Sequence, residues 1–199
     1  LQKPIAASTP KGSSTRDRIL EAARRTLIEQ GIDQFALREI ADSLEIKLSN
    51  LQYYFKTREA LVLKVLEEEA ARDRAIIETH QLKSNDATTA FHAIVQDLIT
   101  RWRGESGVLF STLGTLAIHN KEYKKLYRTI YADFYGALEG PLQQLNPNLT
   151  AAELSLRARL ITALIDGAPM QPFFDTQKAA NKSTFLQRIQ EQAESIARA

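Results

Sequence analysis

Phe35-Ala-Leu-Arg-Glu-Ile-Ala-Asp-Ser-Leu-Glu-Ile-Lys-Leu-Ser-Asn-Leu-Gln-Tyr-Tyr-Phe55 reads as two short helices joined by a tight turn. Leu37, Ile40, Ala41 and Leu44 recur at offsets 0, 3, 4 and 7, the stripe of a helix that buries one face, and Ile46 closes the apolar corner behind them. A second helix starts near Leu48. At about 100° per residue, Leu51 and Phe55 fall together on its buried side, with Ser49, Asn50 and Tyr53 opposite. Leu48 lies beside the core. Gln52 and Tyr54 occupy the flanks, within reach of phosphates bordering a major groove. With few acidic groups and many hydrogen-bonding ones, the second helix has a floor, a reading face and two rails.

Working outward, the same region opens with Thr15-Arg16-Asp17-Arg18-Ile19-Leu20-Glu21-Ala22-Ala23 and stops at Gly31. It continues with Leu37-Arg38-Glu39-Ile40-Ala41, then Leu51-Gln52-Tyr53-Tyr54-Phe55, then Lys56-Thr57-Arg58-Glu59-Ala60-Leu61 opening a long fourth helix. From Thr15 to about Glu68 this resembles the DNA-binding domain of the TetR family of bacterial transcriptional regulators. Roughly a quarter of the chain carries the resemblance; the remainder resembles the family in length and all-helical pattern. Five differences stand out. Glu45 occupies the place of a turn glycine, so the turn either holds a left-handed non-glycine residue or is built differently. Lys47 and Ala36 replace small hydroxyl residues that would cap the third and second helices. Gln52 and Tyr54 stand where Tyr and His are frequent, and both still donate hydrogen bonds.

About 200 residues, 44% of them hydrophobic, suffice for a substantial core. There is no cysteine, so neither a disulfide framework nor a thiolate metal site is available, and the three histidines are too scattered to suggest zinc. No apolar run approaches 18 residues and no signal pattern is visible, so the expectation is a cytoplasmic protein without a membrane partner. A net charge of +2 does not by itself argue nucleic-acid binding; its distribution says more. Lys47 to Lys64 holds four basic residues against Glu59 alone. Such an enrichment is usually a solvated face, but beside the two-helix motif it points to a phosphate-facing patch.

The fold class expected is all-α: an N-terminal three-helix helix-turn-helix DNA-binding domain plus a C-terminal helical ligand-binding and dimerisation domain. Residues 1–13 are expected as a flexible arm, 14–60 as the DNA-binding domain, 61–83 as a connecting helix and 84–199 as the body. Helix 1 runs from about Ser14 to Gln30, burying Ile19, Leu20, Ala23, Leu27 and Ile28. Thr57 caps helix 4, which reaches about His80. Gly104 and Gly107 bracket a turn, Asn120 caps helix 7, and Gly140-Pro141 should kink or end that helix. Thr150 with Glu153 and Thr184 with Gln187 form two capping boxes, each predicting a helix start. The first opens helix 8, and Pro169 with Pro172 breaks the chain before helix 9.

Asn50 is the first candidate for base readout, because a carboxamide pairs bidentately with adenine; Ser49 is more permissive, and Leu48 suits a thymine methyl. A bare surface Asn is the alternative. Tyr53 packs on a neighbour or contacts a phosphate. Lys56 and Arg58 sit at the start of helix 4, where backbone N–H groups and positive side chains favour phosphate, while Arg38 and Lys47 are weaker candidates. In the body, Trp102, Phe110, Tyr127, Tyr131, Phe134 and Met170 are ordinary core or the lining of a cavity. The resemblance implies a small-molecule effector there. His92, Gln96, Arg101, Thr112, His119 and Thr162 are available to orient it.

Helix 8 is apolar over more than one face, so it is either central in its own domain or half of a dimer interface. The resemblance favours the second, through Leu156, Leu160, Leu164 and Phe174. The reading reached is a homodimeric, ligand-responsive repressor released from a palindromic operator in double-stranded DNA. It is not an enzyme and calls for no cofactor or metal, since no nucleophile-base pair, ligand cluster or glycine-rich phosphate loop is present. Control by a protein partner, or a carrier or enzyme with a vestigial head, are the alternatives; a side-chain-filled body would favour the partner.

Overall fold

The computed structural model describes residues 14–170 and 179–199, with the side chains described from 183 in the latter stretch. The expected arm at residues 1–13 and the assignments to Pro172 and Phe174 lie outside the described residues. Among the described residues the chain is built from α-helices, with no strand: α1 (Thr15–Glu29), α2 (Leu37–Ser43), α3 (Leu48–Tyr54), α4 (Arg58–Lys83), α5 (Ala87–Trp102), α6 (Glu105–His119), α7 (Lys121–Leu145), α8 (Ala151–Gly167) and α9 (Ala179–Arg198). No helix among them is long and apolar enough to cross a membrane. The fold is all-α, with a three-helix head followed by a helical body. Two compact units divide at Val65/Leu66, inside α4.

In the first unit, α1 is fixed at its start by a reciprocal cap. Ser14 Oγ accepts from the Asp17 backbone N–H, and the Asp17 carboxylate accepts from the Ser14 N–H. Its inward stripe, Ile19, Leu20, Ala22, Ala23 and Leu27, is buried, and Gly31 ends it at φ +77°. Ile28 is only half-buried. By contrast, α2 and α3 begin at Ala36 and Lys47 with no side-chain cap, as their missing hydroxyls foretell. A missing cap costs about 1 kcal/mol. Each fully buried Leu, Ile or Phe returns about 1.5–3 kcal/mol, and Phe35, Ile40, Ala41, Leu51 and Phe55 are all buried, so packing outweighs the missing caps. Between the two helices Glu45 takes φ +56°: the turn keeps its left-handed residue without a glycine.

Thr57 Oγ1 accepts from the Ala60 N–H at 3.1 Å, capping α4 as expected. The helix runs one turn past His80, to Lys83. In the second unit, Phe91, Ile94, Val95, Leu98 and Ile99 of α5 form the centre of a core that also takes Phe134, Leu138 and Leu142 of α7, Ala158, Ile161 and Ile165 of α8, and Ala193 and Ala197 of α9. Asp86 caps α5, Asn120 caps α7, and the Thr150–Glu153 box opens α8 with both reciprocal bonds in place.

Two expectations fail here, and a third is narrowed. Gly107 does not bound a turn with Gly104 but lies inside the first turn of α6, where an added Cβ would stand 1.9 Å from the Trp102 carbonyl oxygen; glycine is there for that close approach. Pro141 does not end α7, which continues to Leu145: Leu138, Leu142 and Leu145 on both sides of it are buried and carry the helix past the lost donor. Thr184 opens nothing: α9 starts at Ala179, and Gln187 donates to Glu191 Oε1 one turn onward instead of reaching back. The cap signature there is only local composition within a longer helix.

Candidate nucleic-acid interface and body recess

The face of α3 is set by its floor. Leu51 is fully buried and Phe55 nearly so, which forces Ser49, Asn50, Gln52 and Tyr53 outward. Tyr53 is 81% exposed; its ring meets the edge of Tyr54 at 5.2 Å between centroids, nearly perpendicular. An aromatic so exposed gains little from that one contact and is available to a ligand. Leu48 is half-buried, while Arg38, Lys47 and Lys56 are exposed. Together these give a strip of carboxamide, hydroxyl and phenol donors bordered by cations.

Arg58 does something else. Its Nε donates to the Phe35 carbonyl oxygen at 2.8 Å, a second nitrogen donates to the Ile32 carbonyl, and the guanidinium lies 6.0 Å from the Phe35 ring centroid. The group sequence reasoning assigned to phosphate thus clamps the loop between α1 and α2. Arg18 acts similarly at longer range, donating to the Leu44 carbonyl at 3.4 Å, just before the strained Glu45. Neither contact is visible in local spacing, because the partners lie 23 and 26 residues away.

In the body, Trp102, Phe110, Tyr131 and Phe134 gather at one recess together with Asp73 and Thr162. It encloses about 300 Å³ including its open mouth, but room for a water-sized body is only about 10 Å³. Trp102 stacks on Phe110 at 4.6 Å, and Tyr127 stands against Tyr131 at 4.6 Å without lining the recess. Met170 is 76% exposed and does not line it, since it falls beyond the end of α8.

Of the polar groups anticipated, Thr162 lines the recess and Arg101 stands close behind it. His92 is occupied by Glu194 at 2.8 Å, and Thr112 donates to the Val108 carbonyl of its own helix. The groups missed are acidic. Glu69 and Asp73 are almost wholly buried on α4, sharing Arg101, with Ser106 donating to Glu69 and Trp102 Nε1 donating to Asp73 at 2.8 Å. Burial, reinforced by Glu69, raises the Asp73 pKa against the opposing pull of Arg101 and Trp102. Tyr131 donates from its hydroxyl to Asp166 Oδ2 at 2.9 Å; burial chiefly pushes Asp166 up to about 6 and raises Tyr131 as well. A signal existed: Leu66, Ala70, Asp73 and Ile77 share one stripe of α4, so Asp73 interrupts an apolar face.

With these geometries in hand, comparison with known proteins is specific. The family profile described as bacterial regulatory proteins, tetR family, matches residues 19–65, the whole of the uncapped α2–α3 pair and its supports. Over that segment, about a quarter of the chain, the sequence matches the TetR-family DNA-binding domain. No curated protein matches the sequence as a whole. Among solved structures, a TetR transcriptional regulator from Legionella pneumophila superposes with a TM-score of 0.71 at 18% identity, covering 93% of this chain and 98% of that one. A TetR transcription regulator from Haloarcula marismortui does so at 0.71 and 17%, covering 92% and 95%. At such identities the likeness extends the shared fold over the body and says nothing of side-chain roles.

The fold is that of the regulators it superposes on, and α8 carries exposed apolar side chains among the described residues. Leu156 is 58% and Leu160 46% exposed, four residues apart on one stripe, while Leu164 one turn further is half-buried against the body core. Inside the body, Arg157 ties α8 to the end of α9 by donating to the Ile196 and Ala197 carbonyls at 3.0 and 3.2 Å.

Proposed function

We propose that the protein is a homodimeric repressor whose two α3 helices enter successive major grooves of a near-palindromic operator, and that a small molecule in the body recess releases it. The observation that carries this reading is the exposed polar face of α3 over the fully buried Leu51. Asn50 and Ser49 read base edges, Leu48 meets a thymine methyl, and Gln52, Tyr53, Tyr54, Lys47, Lys56 and Arg38 contact the backbone. Arg58 supports the head. Leu156, Leu160 and Leu164 of α8 meet their symmetry mates, because exposed leucines at that spacing are stabilised by a second copy of the same stripe. Half-sites then lie about one helical turn, roughly 34 Å, apart. The working compartment is the cytoplasm, where the DNA is.

The effector acts by preferring a form in which the two heads no longer match that spacing; moving a population from 99:1 to 1:99 requires about 10⁴-fold preference. The shared helix α4 is the covalent route from recess to head. A second reading, control by a protein partner, draws on the near-closure of the recess, which has room for about one water. The buried aromatic faces and polar groups around it favour a ligand-admitting form that is open to a larger occupant.

Selection of bound duplexes from a random library tests the reading. A two-fold symmetric site with half-sites one turn apart is the expected result. A monomeric protein with no preference for any duplex over bulk competitor contradicts it.

A further inference from the structure

Asp73 lines the recess, Glu69 shares Arg101 with it, and Asp166 is bonded to Tyr131, a lining residue; the charges of these three carboxylates are unequally answered. Glu69 and Asp73 divide Arg101 between them, and Arg72 reaches Glu69 from a side chain that is 44% exposed. Arg74, at the recess lining, faces Asp133 at 3.5 Å. Asp166 receives one bond, from the Tyr131 hydroxyl, and its Oδ1 is fully buried with no hydrogen-bond partner. Among the described residues no cation is paired with it. A buried carboxylate oxygen left open in this way destabilises the empty form by an amount a suitable guest would recover.

Asp166 adjoins the recess through two of its lining residues, behind the wall they form. Asp166 lies one helical turn beyond Thr162 on the same face of α8, and Thr162 and Tyr131 both line the recess. The remaining walls are aromatic: Trp102 stacked on Phe110, and Tyr131 backed by Tyr127. Aromatic faces carry negative potential and attract cations, most strongly where water is excluded. An anion would meet Asp73 and Asp166 together. A neutral guest would leave their mutual repulsion in place, a repulsion that already helps to hold Asp166 above the usual carboxylate range.

We propose that the effector of this protein is a small organic cation, a protonated amine or quaternary ammonium, whose charge rests against Asp166 and whose alkyl or aryl groups spread between Trp102, Phe110, Tyr131 and Phe134. This rests on the reading of the recess as the effector site. The collapsed recess opens by displacement of these side chains to admit it.

The chain's single tryptophan, Trp102, is part of the recess and reports on its occupancy directly. The full-length protein is titrated at pH 7.5 with tetramethylammonium and 2-phenylethylammonium, and with the neutral 2-phenylethanol and the anion phenylacetate, following Trp102 fluorescence and the thermal midpoint. The cations are expected to shift both signals at lower concentration than the neutral or anionic probe. Asp166→Asn, which keeps the shape, should weaken the cations by about tenfold to a hundredfold and leave 2-phenylethanol unchanged. If 2-phenylethanol or phenylacetate binds as tightly as its cationic counterpart, the charge assignment is wrong while the effector site stands. If no probe of any charge perturbs Trp102 up to the millimolar range, both the cation and the effector reading of the recess are overturned. The comparison among probes in the unmodified protein decides the matter even should the variant fail to fold.

Discussion

The Arg58 guanidinium donates to the Phe35 carbonyl oxygen at 2.8 Å, locking the first residue of α4 onto the loop that precedes α2. This separates two cations that look alike in sequence. Arg58→Ala should lower the thermal stability of the protein, by on the order of 1–3 kcal/mol, because it strips donors from two carbonyls at once. Lys56→Ala should leave the midpoint unchanged but reduce the slope of log affinity against log salt by about 1. Calorimetry and salt-titrated binding on the same pair of variants check this; an unchanged slope for Lys56→Ala removes its phosphate contact.

Glu45 holds φ +56° in the turn between α2 and α3. A non-glycine residue in that region is strained by about 1–2 kcal/mol, and glycine gives back part of the gain through its freer unfolded chain. Glu45→Gly should therefore stabilise the head by about 0.5–1 kcal/mol, seen as a raised denaturation midpoint, with operator affinity little altered. A lowered midpoint would mean that the Glu45 side chain contributes more than its backbone costs.

Asp166 titrates near 6 in the folded protein, above the ordinary carboxylate range. The folded state thus binds the proton more tightly than the unfolded state, so this group's contribution is fully present below about pH 4 and is lost as pH rises through about 6. The swing amounts to on the order of 3 kcal/mol. Urea denaturation at pH 5 and pH 7.5 should show Asp166→Asn gaining relative to the parent at the higher pH. An identical pH dependence in the two proteins would place the carboxylate in water.

Leu156 and Leu160 are exposed on α8, so a charged substitution there has little to disturb inside one protomer. Leu160→Glu should keep the helical content and midpoint at low concentration while shifting the dimer to monomer in sedimentation, and specific DNA affinity should fall with it. Retention of the dimer would move the interface elsewhere.

The legibility of this chain follows the range of its interactions. The α3 face was readable because Leu51 and Phe55 stand four residues apart on one short helix, and Lys47 and Ala36 announced both missing caps; Glu45 left two turn geometries open, of which the left-handed one is found. The structural part of Arg58 was not legible because its partners, Ile32 and Phe35, come from another loop. Pro141, expected to kink or end α7, does not end it, because buried leucines on both sides of it pack in the body core and offset a local penalty. Asp73 and Glu69 were missed because their partner Arg101 comes about 30 residues on, from another helix. Met170, beyond the end of α8, does not line this recess, and no local pattern announced that.

The central claim, that the outer side of α3 reads base edges, is tested most directly by Asn50→Ala measured in parallel on the selected operator and on a random duplex at one salt concentration. A loss on the order of 1–3 kcal/mol confined to the operator is the predicted result. Equal losses on both duplexes, or none on either, would contradict it.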